Sequence, residues 1–166
     1  MHLLAIDPGN TDSGYVILDG HRQPVHFGKV GNHDLLTLIG DPPVPVDDAA
    51  VEMIASYGMA VGAEVFETCV WIGRYVEAIR RDLHVAPALV KRLSVKMHHC
   101  HTAQAKDSNI RQALVDRFAP GASNHGKGTK DAPSWFYGFK ADIWQAYALG
   151  VYAVDIIEAE GGTVAA

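Results

Sequence analysis

The sequence predicts an α/β fold, a mixed five-stranded sheet flanked by helices. Three observations point there. Short apolar runs separated by turn residues open the chain; two further apolar runs follow, with a long segment of helical period between them; and helical periodicity closes it. With 166 residues, 48% of them hydrophobic, the chain can bury one sizeable core, and residues 1–166 are expected to form a single domain.

Element by element, Leu3 to Ile6 reads as a strand ended by the turn Asp7-Pro8-Gly9. Gly14 to Leu18 is a second strand, Asp19-Gly20 reverses the chain, and Val25 to Val30 completes a meander. Residues 33–48 contain Gly40-Asp41-Pro42-Pro43-Val44-Pro45 and are expected to be irregular, because proline removes a donor and clashes inside a helix. Ala49 to Ile54 makes a fourth, buried strand. From Val61 to Arg81 the residues Val65, Phe66, Cys69, Val70, Ile72, Val76 and Ile79 recur at helical spacing, which predicts a long helix with this stripe inward and Cys69 in the core. Val90 to Met97 alternates like a fifth strand. Asp107 to Phe118 is a helix with Ile110, Ala113, Leu114, Val115 and Phe118 inward. Residues 119–139 form a Gly/Ser/Lys loop ending in Trp135-Phe136-Tyr137, and Asp142 to Ile157 is the last helix.

Composition excludes several classes. The apolar content rules out disorder, and two cysteines, Cys69 and Cys100, rule out a disulfide scaffold. No apolar run reaches the ~18–20 residues of a membrane span. The opening, Met1 to Asp7, lacks the basic start of an export signal, so a cytoplasmic protein with no membrane partner is expected. Charge is unevenly spread: residues 80–140 hold 11 of the 14 Lys and Arg but 4 of the 19 Asp and Glu, a net of +7 in a chain of net −5. A basic segment in an acidic protein suggests a polyanion approached from one side.

Three acids stand out. Asp7 ends an otherwise apolar strand, and a buried carboxylate is costly unless a cation or hydrogen bonds compensate it. Glu52 interrupts the apolar run Ala49-Ala50-Val51-Glu52-Met53-Ile54, and Asp142 opens the last helix. Each has a plainer reading: Asp7 as cap of the 8–14 loop, Glu52 as an edge residue facing water, Asp142 as a helix-start acid. As a set of oxygen donors they suit Mg²⁺ or Mn²⁺, and two such ions about 3.5–4 Å apart can activate water and stabilise the leaving oxygen of a phosphodiester.

Leu4-Ala5-Ile6-Asp7-Pro8-Gly9-Asn10-Thr11-Asp12-Ser13-Gly14-Tyr15 resembles the first strand pair of the RuvC-type Holliday-junction resolvases of the ribonuclease H-like superfamily. Val51-Glu52-Met53 resembles that family's second acid, Lys140-Ala141-Asp142-Ile143-Trp144-Gln145-Ala146 the opening of its last helix, and Ala105 to Phe118 its phage and prophage members. The resemblance implies a sheet of three antiparallel and then two parallel strands. It implies a homodimer that cuts four-way DNA junctions by paired symmetrical nicks, with two divalent ions per site held by Asp7, Glu52 and Asp142. It also implies that Lys106 is the basic residue near the scissile phosphate, with Lys96 near a second basic position. Two departures are evident. The family's acid three residues after Asp142 is Gln145 here, with Asp12, Asp131 and His125 as candidate substitutes, and the helix between the third and fourth strands is replaced by the Pro-rich segment 39–46.

Lys91, Arg92, Lys96, Lys106, Arg111, Lys127 and Lys130 are expected to track DNA phosphates. Trp135, Phe136 and Tyr137 offer stacking for unpaired bases or anchors for their loop, with Trp135 and Tyr137 the nucleic-acid candidates. His98-His99-Cys100-His101 is expected to line a strand end and meet DNA or water; consecutive strand residues point to opposite faces, which argues against zinc. The alternatives are a non-catalytic junction-binding protein, a ribonuclease acting on RNA–DNA hybrids, and an actin-like nucleotide-binding module.

Overall fold

Four apolar residues buried on both sides, Leu3 to Ile6, make the central strand β1 (His2–Asp7) of the computed structural model, which describes residues 1–56, 58 and 60–161. The sheet grows outward from it. β2 (Asp12–Asp19) returns antiparallel to β1, and β3 (Pro24–Gly31) runs antiparallel to β2 at one edge. Asp19 fixes the turn between them: its carboxylate accepts from the backbone N–H of His21 and of Gln23. β4 (Asp48–Met53) lies parallel to β1 on the other side, and β5 (Ala88–Lys91) parallel to β4, giving the order β3-β2-β1-β4-β5. Three antiparallel strands followed by two parallel ones is the expected arrangement.

Strand alternation divides the core. Leu4, Ile6, Tyr15 and Ile17 face α1 (Asn32–Gly40) and α2 (Ala63–Ala78), which continues as a π-helical turn over Ile79–Leu83. Leu3, Ala5, Val16 and Leu18 face α3 (Arg92–Cys100), α4 (Asp107–Phe118) and α6 (Ile143–Glu160), while α5 (Ser123–Gly126) is a single turn with Asn124 and His125 left-handed. α6 lies directly on the sheet because Gly150 has no side chain: a Cβ there would come 2.5 Å from Leu18 Cδ2. Among the described residues no helix is long and apolar enough to cross a membrane.

Three expectations are corrected. A helix does stand between β3 and β4: α1 buries Leu35 and Ile39 and stops at Gly40, so the prolines end it without replacing it. The segment expected as one strand over 90–97 turns at Lys91, where β5 passes into α3 with no loop. Its alternating Leu93, Val95 and Met97 misled, because only Val95 is buried and the other two are exposed. In α2 the buried residues are Thr68, Ile72, Tyr75 and Ala78, whereas Phe66 and Val70 are each 62% exposed and Cys69 is exposed as well. This helix carries two apolar stripes, and the sheet takes one of them.

The histidines also move. On α3 rather than a strand end, His98 Nε2 meets Asp155 Oδ2 at 2.6 Å, and His99 Nε2 donates to the Ala148 carbonyl at 2.8 Å, both on α6. Burial holds His99 well below its ordinary value, to about 4, so it packs as a neutral ring. Asp155 also accepts from Arg22 and, at 2.6 Å and 2.9 Å, from Arg117, which ties the β2–β3 turn, α3 and α4 to one point on α6.

Candidate metal and nucleic-acid site

Period-two alternation puts Asp7 on the face of Leu3 and Ala5, and Glu52 on the face of Ala50, which is the face that α6 covers. In the parallel pair β1–β4, Ile6 lies beside Val51, so the next step along each strand sets Asp7 and Glu52 at adjacent carboxyl ends. Crevices at the carboxyl ends of α/β strands are where such sheets hold ligands. Asp142 arrives from the other side. Gly14 is the β2 partner of Asp7, and a Cβ on Gly14 would lie 2.6 Å from the Asp142 carbonyl oxygen and 2.9 Å from its Cβ. Only glycine lets the start of α6 press onto the sheet here. Ala141, just before, takes a left-handed φ of +30°, a strain of about 1 kcal/mol or more that this packing holds in place.

The loop after Asp7 is satisfied without its carboxylate. Ser13 Oγ accepts from the Gly9 N–H at 3.1 Å and donates to Asn32 Oδ1 at 2.7 Å, while Tyr75 OH lies 2.9 Å from it. Asn32 Nδ2 donates to the Gly9 carbonyl at 2.9 Å. Loop capping therefore belongs to Ser13 and Asn32, and Asp7 is left for something else.

Electrostatics mark Asp7 as under-compensated. Burial, then the charges of Glu52 and Asp142, raise it from 3.8 to about 8, with Arg92 opposing. Burial likewise raises Glu52, and Arg92 again opposes. Arg92 Nη1 donates to Glu52 Oε2 at 3.3 Å, and its Nη2 donates to both Asp107 and Gln145. Lys29 Nζ stands 2.6 Å from Asp142 Oδ2.

With Glu52 turned to Arg92 and Asp142 to Lys29, no three His, Cys, Asp or Glu side chains among the described residues stand close enough as they lie to hold one ion together. The donor chemistry nevertheless fits a hard divalent cation: all oxygen, drawn from three elements, with Asp7 destabilised by like charge that such a cation would relieve.

The basic candidates occupy two stretches around this end of the sheet. Lys96 lines a groove with Arg92, Leu93 and Ala103. Lys91 is exposed where β5 ends, and Lys106 is exposed at the start of α4, where Asn109 accepts from its backbone N–H at 2.9 Å. Arg111 is exposed on α4, its guanidinium 6.0 Å from the Trp144 ring, and lines a cleft of about 280 Å³ with Asp107, Ser108, Asp142 and Gln145. Lys127, Lys130 and Lys140 share a second groove with Tyr137, which is 45% exposed. Trp135 is half-buried: it stacks on Phe118 with centroids 5.2 Å apart and its Nε1 donates to Tyr147 OH at 2.8 Å, so it anchors the loop to the core, as fully buried Phe136 does.

Two residues at the site carry little sequence signal. Asp107 looks like an ordinary first-turn acid, which the helix dipole explains without any ligand. Lys29 sits on a half-exposed edge strand where a lysine is unremarked. Asp12, Asp131 and His125 are all exposed.

No family model matches the chain, and no curated protein matches it. Solved structures do. The chain is similar to Thermus thermophilus RuvC in complex with Holliday junction substrate, with a TM-score of 0.72 and 15% identity over 98% of each chain. It is also similar to a Thermus thermophilus RuvC structure, with a TM-score of 0.65 and 18% identity over 97% of each chain. The likeness establishes the fold: the five-stranded sheet and its helices are those of the RuvC, ribonuclease H-like architecture.

Proposed function

We propose that this chain is a Mg²⁺- or Mn²⁺-dependent endonuclease that resolves four-way DNA junctions, with Asp7, Glu52 and Asp142 as the metal-holding carboxylates. What supports this reading is the backbone placement of the three acids at one end of the sheet: two on adjacent parallel strand ends and one whose backbone rests on Gly14, the cross-strand partner of the first. The RuvC-like fold, and the junction substrate bound by one of the similar structures, support the choice of DNA.

Divalent ions in this crevice would activate a water and neutralise charge on the scissile phosphate. The chain's own residues do the rest. Asp7, whose carboxyl burial and like charge push up to about 8, would have to give up its proton to hold such an ion. Lys106, exposed beside the cleft, offers an ammonium to the phosphate, and Lys91, Lys96, Arg111, Lys127 and Lys130 hold flanking backbone by charge. Exposed Tyr137 offers a ring to an unstacked base at the crossover. A homodimer suits paired symmetrical cuts, and the outward stripe of Phe66, Cys69 and Val70 on α2 is an apolar face for a second copy. The setting is the cytoplasm of a bacterium or phage-infected cell.

The test is cleavage of four-way, flap, duplex and RNA–DNA hybrid substrates with Mg²⁺ or Mn²⁺. Paired nicks in the four-way junction are expected, falling about a thousandfold or more in Asp7→Asn while junction binding survives. Cleavage by Asp7→Asn at the wild-type rate would remove the carboxylates from the chemistry. Gln145 and the Arg92–Glu52 pair favour one other reading, a non-catalytic junction binder, which metal-independent gel shifts without product would establish.

A further inference from the structure

Arg92 shows where oxygen donors converge. Its Nη1 donates to Glu52, and the single nitrogen Nη2 donates to both Asp107 Oδ1 and Gln145 Oε1. Two acceptors of one nitrogen lie close to each other, so the Asp107 carboxylate reaches the same point as the Gln145 amide oxygen. Glu52 reaches the other arm of the same planar group. Gln145 stands one turn into α6, three residues after Asp142, and supplies an oxygen without charge. Asp107 comes from a different element, the first residue of α4, and lines the cleft that also holds Asp142 and Gln145. A hard cation selects its site by the number and charge of converging oxygens, whichever element delivers them. The point where these oxygens meet already holds a positive group, the guanidinium.

Resting on the metal-dependent reading above, we propose that Asp107 supplies the fourth carboxylate of the metal site, with Gln145 as a neutral oxygen ligand beside it. Arg92 is then the resident counter-cation of the metal-free protein and leaves Glu52, Asp107 and Gln145 when the ion enters. The charge absent from α6 at Gln145 is provided by α4 at Asp107. Lys106, the residue before Asp107, is exposed and would stand beside an ion held there.

The experiment is calorimetric titration of Mn²⁺ into the DNA-free protein at pH 8, for wild type, Asp107→Asn, Asp107→Asn/Gln145→Glu, Arg92→Gln and Asp7→Asn, each checked for native circular dichroism. Asp107 is exposed and Asn is isosteric, so the fold is expected to hold. Asp107→Asn should weaken Mn²⁺ binding by about tenfold or more, and adding Gln145→Glu should restore it. Arg92→Gln should bind more tightly than wild type, because the competing cation is gone; a merely structural arginine would leave the affinity unchanged. An Asp107→Asn affinity within about twofold of wild type, while Asp7→Asn is strongly impaired, overturns the role of Asp107 and leaves the metal-dependent reading standing. Both variants binding like wild type overturns the two together.

Discussion

One helix, α6, carries two acid–base clusters of opposite balance. Near its carboxyl end Asp155 is surrounded by donors: Arg22, Arg117 and His98 all reach it. Burial alone would raise its carboxyl, yet these partners hold it far below the usual carboxylate range. At its amino end acids outnumber bases: Asp7, Glu52, Asp107 and Asp142 share Arg92 and Lys29, and Asp7 is pushed up to about 8. The residue types are the same, and the count of partners decides the outcome. Where charge is fully met, the cluster works as a clamp between elements. An unmet excess leaves acids in the other cluster short of positive charge, at the expense of stability.

The largest test of this contrast is Asp7→Asn in the metal-free protein. A group whose folded value lies above its unfolded one destabilises progressively as pH rises from about 4 to about 8, because the folded state must give up its proton late. The asparagine variant lacks this penalty, so at pH 8 it should melt above wild type, by at most about 5 kcal/mol, and converge on it near pH 4. A variant less stable than wild type at pH 8 would break the comparison. Asp155→Asn should do the reverse, losing about 2–4 kcal/mol at pH 7 in urea unfolding, since three donors would face a neutral amide. Its deficit should shrink below pH 4, where the depressed carboxyl of the wild type begins to lose its advantage. The smallest effect comes from between the clusters. His99, held near 4, stabilises fully above its unfolded value of 6.5, and this contribution fades as pH falls from 6.5 toward 4. A His99→Gln chain should therefore lack an acid-side stability slope worth at most about 3 kcal/mol, read from melting curves between pH 4 and 7.

What was legible in the sequence follows the same division between local and assembled features. The central strands announced themselves because Leu3 to Ile6 and Ala49 to Val51 are buried on both faces, and a carboxylate ending such a run is conspicuous. Asp7 and Glu52 stand out as candidates in this way, and Asp142 from its place at a helix start. α3 was misread because its apolar residues alternate, although only Val95 among them is buried, and α1 was hidden by the prolines that merely follow it. The stripe of α2 was real, but no periodicity says which of two apolar faces the sheet will take. Arg92 was legible as a basic residue but not as the partner of Glu52, because a hydrogen bond across 40 positions is set by packing alone. The contact of Arg92 with Asp107, 15 positions on, is set by packing in the same way.

The contact between Gly14 and the Asp142 backbone gives a practical handle. One added methyl group would force that contact apart, since its carbon would sit 2.6 Å from the Asp142 carbonyl oxygen. Gly14→Ala would keep every charged side chain and alter only their spacing. Under the proposed function, such a chain is the natural choice for capturing uncut DNA, because its electrostatic attraction for the polymer would be untouched while the spacing of its acids is spoiled.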